Sequence, residues 1–255
     1  MAALLVGAAT MVMGATLARA GQGQRVRCGG RSAVRGIDVS KWQGEVDWQA
    51  VRAVGVRFAY IRVSDGSTIL DGMFARNWAG ARSAGVVRGA YQYFRPEEDA
   101  EVQADLLLAS MGPLRAGDLP PAIDVEVSGG LDSRELVRRV GQWVARVRAA
   151  TGVRPVVYTS ALGWMALAGN SRRFRSHPLW VAHHDVECPS TPAGWRRWTF
   201  HQFSRQSTVG GVPGLVDENR FRGTLRALRR MTVHSERAAA RRWGRWRKRY
   251  ASAAP

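Results

Sequence analysis

Between residues 35 and 221, short apolar runs of strand character alternate with stretches of helical periodicity, and this rhythm constrains the fold most. Val34 to Ser40 reads as a strand and Asp47 to Val54 as a helix. Val56–Val63 and a helix over 73–84 repeat the pair, as do Val86–Phe94 and Ala100–Met111. Pro121–Val127 is a fourth strand, and the helix after it opens with Asp132 and Glu135 in capping-box spacing. Its apolar positions Leu136, Val137, Val140, Trp143, Val144 and Val147 keep the helical period until Gly152 and Pro155 stop it. Pro155–Thr159 is a fifth strand. After it Leu179–Ala182, Thr199–Phe203 and Leu215–Val216 read as short strands with little helix between them. Repeated βα units imply parallel strands covered by helices, in an open sheet or a closed barrel. Five such units followed by three bare strands favour an α/β chain closed as an irregular TIM-like (β/α) barrel.

The flanks differ from this body. Residues 1–20 form an apolar run ending in Ala18-Arg19-Ala20, which reads as an export signal cut after Ala20. No cation precedes the run, so an uncleaved membrane anchor is the alternative. No other stretch approaches a membrane span, which excludes a polytopic membrane protein. Residues 21–34 are a lead-in, 35–223 the barrel, and 224–255 a basic tail that could form a helix. The net charge is +18, yet Lys occurs only at Lys41 and Lys248. Residues 222–255 hold 11 of the 38 cations and one acid, Glu236, so more than half of the excess lies in the tail. Two readings of that tail stand: a solvated helix face, or an anchor in which arginines meet an anionic surface and Trp243 and Trp246 a lipid or glycan. Cys28 and Cys188 are the only cysteines, and in an exported protein they would most simply form one disulfide.

In a parallel α/β architecture, functional side chains gather at the C-terminal ends of the strands. Three acids fall there. Asp38 ends the first strand, and Asp124 and Glu126 lie two apart on the fourth, where strand alternation puts them on one face. Two carboxylates sharing a face raise one another's proton affinity. A protonated acid beside an ionised one is what glycosidic cleavage needs, one protonating the leaving oxygen and the other stabilising positive charge at the anomeric carbon. Asp217 is a fourth acid able to reach the same end. The bland alternative is an ion pair with arginine, but both acids interrupt the apolar run of a buried strand, where unpaired charge is costly. Trp42, Tyr91, Tyr93 and Trp180 fall near strand ends, where ring faces can stack on sugars; the helix-borne tryptophans read as packing.

With these residues in view, the chain resembles the glycoside hydrolase family 25 muramidases, a lysozyme family, from about Arg35 to Gly223. The resemblance rests on five segments in order: Gly36 to Gly44, Gly89-Ala90-Tyr91, Ile123-Asp124-Val125-Glu126, Leu179-Trp180-Val181-Ala182, and Val216 to Phe221. It implies an irregular (β/α) barrel and hydrolysis, with retention, of the β-1,4 bond between N-acetylmuramic acid and N-acetylglucosamine in peptidoglycan. By the same resemblance Glu126 is the general acid/base. Asp124 stabilises the oxocarbenium-like state, as a nucleophile or by orienting the substrate's 2-acetamido group. Asp38 and Asp217 then shape hydrogen bonding around them, while Tyr91, Trp180 and Gln202 line the sugar cleft and Asn219 belongs to the binding set. Two departures stand out. Ser64-Asp65-Gly66 lies where many relatives carry a Glu before the Gly, and His183-His184 follow Ala182 where an aromatic is common.

Other patterns carry less. His183 and His184 resemble a metal cluster, but adjacent strand residues point to opposite faces, so no metal or cofactor is expected. Gly210 to Gly214 is turn-rich and lacks the lysine of a phosphate-binding loop. No Ser-His-Asp arrangement has a nucleophile elbow. A barrel that binds peptidoglycan without cutting it is the first rival, and a nucleic-acid-binding protein driven by the basic tail the second. The body shows no nucleic-acid module, so the expected partner is the peptidoglycan glycan strand. An exported monomer is expected to act on it.

Overall fold

The computed structural model describes residues 24–25 and 33–250. The expected leader and Cys28 lie outside the described residues. Eight strands build the barrel: β1 Ala33–Val39, β2 Phe58–Asp65, β3 Val87–Tyr93, β4 Ala122–Asp124, β5 Val156–Ser160, β6 Leu179–Ala182, β7 Phe200–Thr208 and β8 Leu215–Arg222. Neighbours from β1 to β7 pair in parallel. β8 then closes the ring, antiparallel to both β7 and β1. Helices α1 Trp48–Ala53, α2 Phe74–Ser83, α3 Ala100–Met111, α4 Ser133–Thr151 and α5 Ala161–Ala168 each follow one of the first five strands. The observed architecture is therefore five βα units and three further strands.

Local chemistry sets the helix limits. Asp47, Asp99 and Asp132 cap α1, α3 and α4 by accepting from backbone N–H groups that have no partner within the helix. Gly152 ends α4 in the left-handed region, at φ 77°. The Asp132–Glu135 box forms only in half, because Glu135 turns instead to Arg138 and Arg139. Two glycines of the resemblance segments gain a reason inside the barrel. A Cβ on Gly36 would lie 2.3 Å from the Phe58 ring, and one on Gly89 2.4 Å from Tyr60. Without those side chains, Phe58, Tyr60, Trp180 and Phe200 fill the barrel interior, with Tyr60 stacked on Trp180 at 4.7 Å between centroids.

Four expectations need correction. β4 stops at Asp124, so Glu126 lies beyond the strand rather than on it, although Val125 N–H still donates to Tyr158 O. Helix α5 has almost no polar residue, so it shows no amphipathic period to reveal it in the sequence. β7 and β8 run well past the apolar stretches, because their outer halves pair as a polar hairpin interrupted by bulges. The tail is part of the body. Helix α6 Leu225–Met231 inserts Leu228 among Val34, Phe58, Phe200 and Phe221, closing the end of the barrel where the parallel strands begin. Helix α7 Glu236–Tyr250 packs on α4. Trp246, only 5% exposed, donates to Asp105 Oδ1 at 3.0 Å, and the Arg146 guanidinium sits 3.3 Å over the Tyr250 ring. Trp246 is consequently unavailable to a lipid or glycan, and Trp243 is half-buried against the same core. No described helix is long and apolar enough to cross a membrane.

Candidate active site

Strand order carries the acids to one end of the barrel. Asp38 at the end of β1 lies directly across from Asp217 on β8. Asp124, the last residue of β4, stands in register with Tyr93 on β3 and Tyr158 on β5, and Glu126 follows two residues later. The helical turn Lys41–Gln43, capped by Ser40, leaves Trp42 at the same end with 75% of its surface exposed. Lys41 Nζ lies 5.0 Å over its ring.

Hydrogen bonds fix the floor of the site in one direction. An indole N–H can only donate, so Trp180 Nε1, 2.8 Å from Asn219 Oδ1, turns the Asn219 amide nitrogen toward Asp38 Oδ2 at 2.6 Å. The Tyr158 hydroxyl likewise donates to Gln202 Oε1 at 2.9 Å. This leaves Gln202 Nε2 to donate to Asp38 Oδ2 at 3.0 Å and to Asp217 Oδ2 at 3.3 Å. His184 Nε2 also meets Gln202 Oε1 at 3.0 Å. One amide thereby joins an aromatic hydroxyl, a histidine and two carboxyls.

All four acids hold protons more tightly than ordinary carboxyls. Burial raises Asp38 well above its usual value, and the facing Asp217 charge adds to it against the donated hydrogen bonds. Burial also raises Asp124 strongly, followed by the charges of Glu126 and Asp38, with Arg62 opposing. Glu126 is raised by burial, while the Tyr158 hydroxyl and His184 favour its ionised form and Asp217 disfavours it. Asp217 is raised by burial as well. Tyr93 is pushed up to about 12 by burial and by Glu126 and Asp124. Asp124 Oδ1 is buried without a hydrogen-bond partner, an acceptor left open at the centre of the site.

Of the residues singled out in the sequence, Asp38, Asp217, Gln202, Asn219 and Trp180 form one hydrogen-bonded network. Asp124, Glu126, Tyr91 and Tyr93 lie within electrostatic reach of it. Trp180 is corrected in one respect. At 1% exposure, with Tyr60, Tyr91 and Tyr158 packed around its ring, it lies beneath the cleft and offers no face to a ligand. The His pair lies just past the end of β6 and divides: His183 Nδ1 accepts from Ser190 N–H, and His184 turns into the site. Asp65, the last residue of β2, is held by two bonds from Arg95 at 2.5 and 2.8 Å. Cys188 is disulfide-bonded. Tyr158 and Arg62 were not identified from the sequence. A polar residue at a strand end beside Asp124 was the available signal for Tyr158. Arg62 had none, because its partner Asp71, at 3.0 Å, is in a separate loop.

The model of the glycosyl hydrolases family 25 matches residues 37–212. The chain is 41% identical to protein YegX of Escherichia coli K12, over 76% of this chain and 72% of that protein. It is 38% identical to lysozyme M1 of Streptomyces globisporus, over 77% and 70%. The crystal structure of a bacterial lysozyme from Streptomyces coelicolor superposes with a TM-score of 0.76 at 36% identity, covering 79% of this chain and 97% of the other. By sequence, fold and the acid cluster at the barrel mouth, the chain belongs to glycosyl hydrolase family 25, and it is a glycoside hydrolase.

Proposed function

We propose that the protein is an exported N-acetylmuramidase that cleaves the β-1,4 bond between N-acetylmuramic acid and N-acetylglucosamine in peptidoglycan with retention. Similarity to lysozymes supports peptidoglycan as the substrate. The apolar leader and the bonded Cys188 support action outside the cytoplasm.

The observation that carries the chemistry is the unpartnered Oδ1 of Asp124 beside Glu126. In the empty site burial raises the proton affinity of both acids, strongly at Asp124 and less at Glu126, where Tyr158 and His184 oppose it, so the pair's proton favours Asp124. A substrate 2-acetamido N–H donating to the open Oδ1 reverses that preference: Asp124 becomes the carboxylate, and the pair's proton resides on Glu126. Glu126 then protonates the glycosidic oxygen as the bond breaks, and Asp124 stabilises the positive charge developing at the anomeric carbon. The acetamido oxygen, oriented by Asp124, closes on the anomeric carbon from the face opposite the leaving group. Glu126, now ionised, takes a proton from the water that opens the ring, and two inversions give retention. Asp38 and Asp217, tied through Gln202, keep the negative charge of the mouth in place. Trp42 and Tyr93 are the rings available to glycan units on either side.

Digestion of purified peptidoglycan by the protein and by a Glu126→Gln variant tests this reading. Clearing by the parent alone, with muramic acid at the new reducing ends, is expected. Glucosamine at those ends would move the cut to the other bond, and binding of sacculi without clearing would make the barrel a binding module.

A further inference from the structure

The end of the barrel opposite the acids carries a second concavity that the proposed reaction does not use. A cavity of about 1010 Å³ opens where β6 and β7 begin and β8 ends. Arg172, Arg175, Arg196 and Arg197 line it together with His177, and among the described residues no Asp or Glu lies in its wall. Guanidiniums gathered around a concavity without a carboxylate repel one another and focus a positive potential into it. Trp198 belongs to the same wall. It is 5% exposed, and its indole N–H is buried without a hydrogen-bond partner. Trp195 beside it donates to His177 O at 3.0 Å, whereas the Trp243 N–H on α7, outside this cavity, is buried without a partner as well. The Arg222 guanidinium lies 5.9 Å from the Trp198 ring. An open buried donor next to clustered cations calls for an anionic acceptor.

We propose that this cavity binds the phosphates of a polyol-phosphate chain, with arginine forks on the phosphate oxygens and the Trp198 N–H donating to one of them. Planar guanidinium forks match phosphate geometry, and several around one cavity suit a ligand with repeated charges. The volume is far larger than a single ion needs. None of the exposed large apolar side chains lies in the wall, and the Trp195 and Trp198 rings are buried. Neither a stacking platform for nucleobases nor a seat for acyl chains is present there. The aromatic interior from Phe58 to Trp180 separates the cavity from the acids, so both ends can be occupied together.

Calorimetric titration of the whole protein with poly(glycerol phosphate), and separately with inorganic phosphate, tests the site without hydrolysis. The result therefore stands whatever the acid end does to peptidoglycan. Arg196 and Arg197 are exposed, so Arg196→Gln with Arg197→Gln leaves the fold intact. That variant is expected to weaken polymer binding about tenfold or more. Arg241→Gln with Arg245→Gln, the same charge loss on exposed α7 positions, is expected to change it by less than about twofold. The Trp198 indole N–H resonance, assigned by its loss in Trp198→Phe, should move downfield as the polymer binds. Equal weakening by the two double variants would reduce the effect to bulk charge and overturn the site. An unmoved Trp198 resonance would overturn it too. Inorganic phosphate binding as tightly as the polymer would replace the chain with the free ion.

Discussion

The two ends of the barrel carry opposite charge, but the two charges are held in different ways. At one end Asp38 and Asp124 are buried, Asp217 is half-buried and Glu126 stands at the exposed edge beside them, and loss of water around the carboxyl is the largest cause of each raised proton affinity. At the other, Arg172, Arg175, Arg196 and Arg197 stand exposed on a rim. The net +18 reports the second kind of charge and conceals the first. Dehydrated carboxyls do chemistry because each depends on its neighbours for its protonation state. Exposed arginines keep their charge independently and serve to attract. Changes at the acid end should therefore be strongly coupled to one another and silent at the arginine end.

The largest break in this contrast should come from the acid pair. Glu126→Gln is expected to lower kcat by roughly 10²–10⁴-fold in release of reducing ends, while poly(glycerol phosphate) titrates it like the parent. Asp124→Asn should lose activity on a similar scale and, unlike most losses of function, gain stability. The reason is linkage. All four acids have folded pKa values above their unfolded ones, so their contribution is fully present below about pH 4 and lost as pH rises through the folded values. Asn does not titrate, so the stability gap between Asp124→Asn and parent should widen from pH 4 to pH 8 in urea melts. A constant gap would mean that Asp124 is not the strained carboxyl.

A second test separates charge from packing in the tail. Trp246→Ala removes a buried indole and its bond to Asp105, and should cost roughly 3–5 kcal/mol in denaturant unfolding. Neutralising Arg241 and Arg245 on the same helix should stay within about 0.5 kcal/mol. If the two changes cost the same, α7 is not docked through its aromatic face.

The same difference explains what the sequence could reveal. Strand ends were legible because apolar runs stop there, and Asp38, Asp124 and Glu126 stood out by interrupting or ending such runs. Glycines before Ile37 and Ala90 were visible as pattern, but their reason, the space taken by Phe58 and Tyr60, required the closed ring. Tyr158 was hidden because its role depends on register between neighbouring strands, and Arg62 because its partner Asp71 lies in a loop. α5 was hidden by its uniform apolarity. The tail misled through composition: its arginines face outward, and the buried face of Ala239 and Trp246 is too narrow to outweigh them.

Next in size is the outer ring of the cleft. Trp42 is exposed and its indole packs against no core, so Trp42→Ala should leave unfolding unchanged and raise KM several-fold with kcat nearly intact. A fall in kcat instead would place the ring over the reacting sugar.

The smallest effect is the most specific. The Asp217 charge raises Glu126, and the Asp217 carboxyl accepts from Gln202 Nε2. Asp217→Asn removes that charge while keeping an oxygen for Gln202, so Glu126 should ionise more readily. Glu126 must be protonated to act as the acid, and activity falls as pH rises through its pKa. The basic limb of the kcat profile should accordingly move to lower pH by about half a unit to one unit, with the acidic limb less affected. Trp42→Ala changes no charge and should leave that limb where it is. Arg196→Gln with Arg197→Gln, at the far end of the barrel, should also leave it in place, because the aromatic interior and solvent screen that distance. A limb that ignores Asp217 yet follows the distant arginines would show that the mouth responds to total charge, and the division between the two ends would fail.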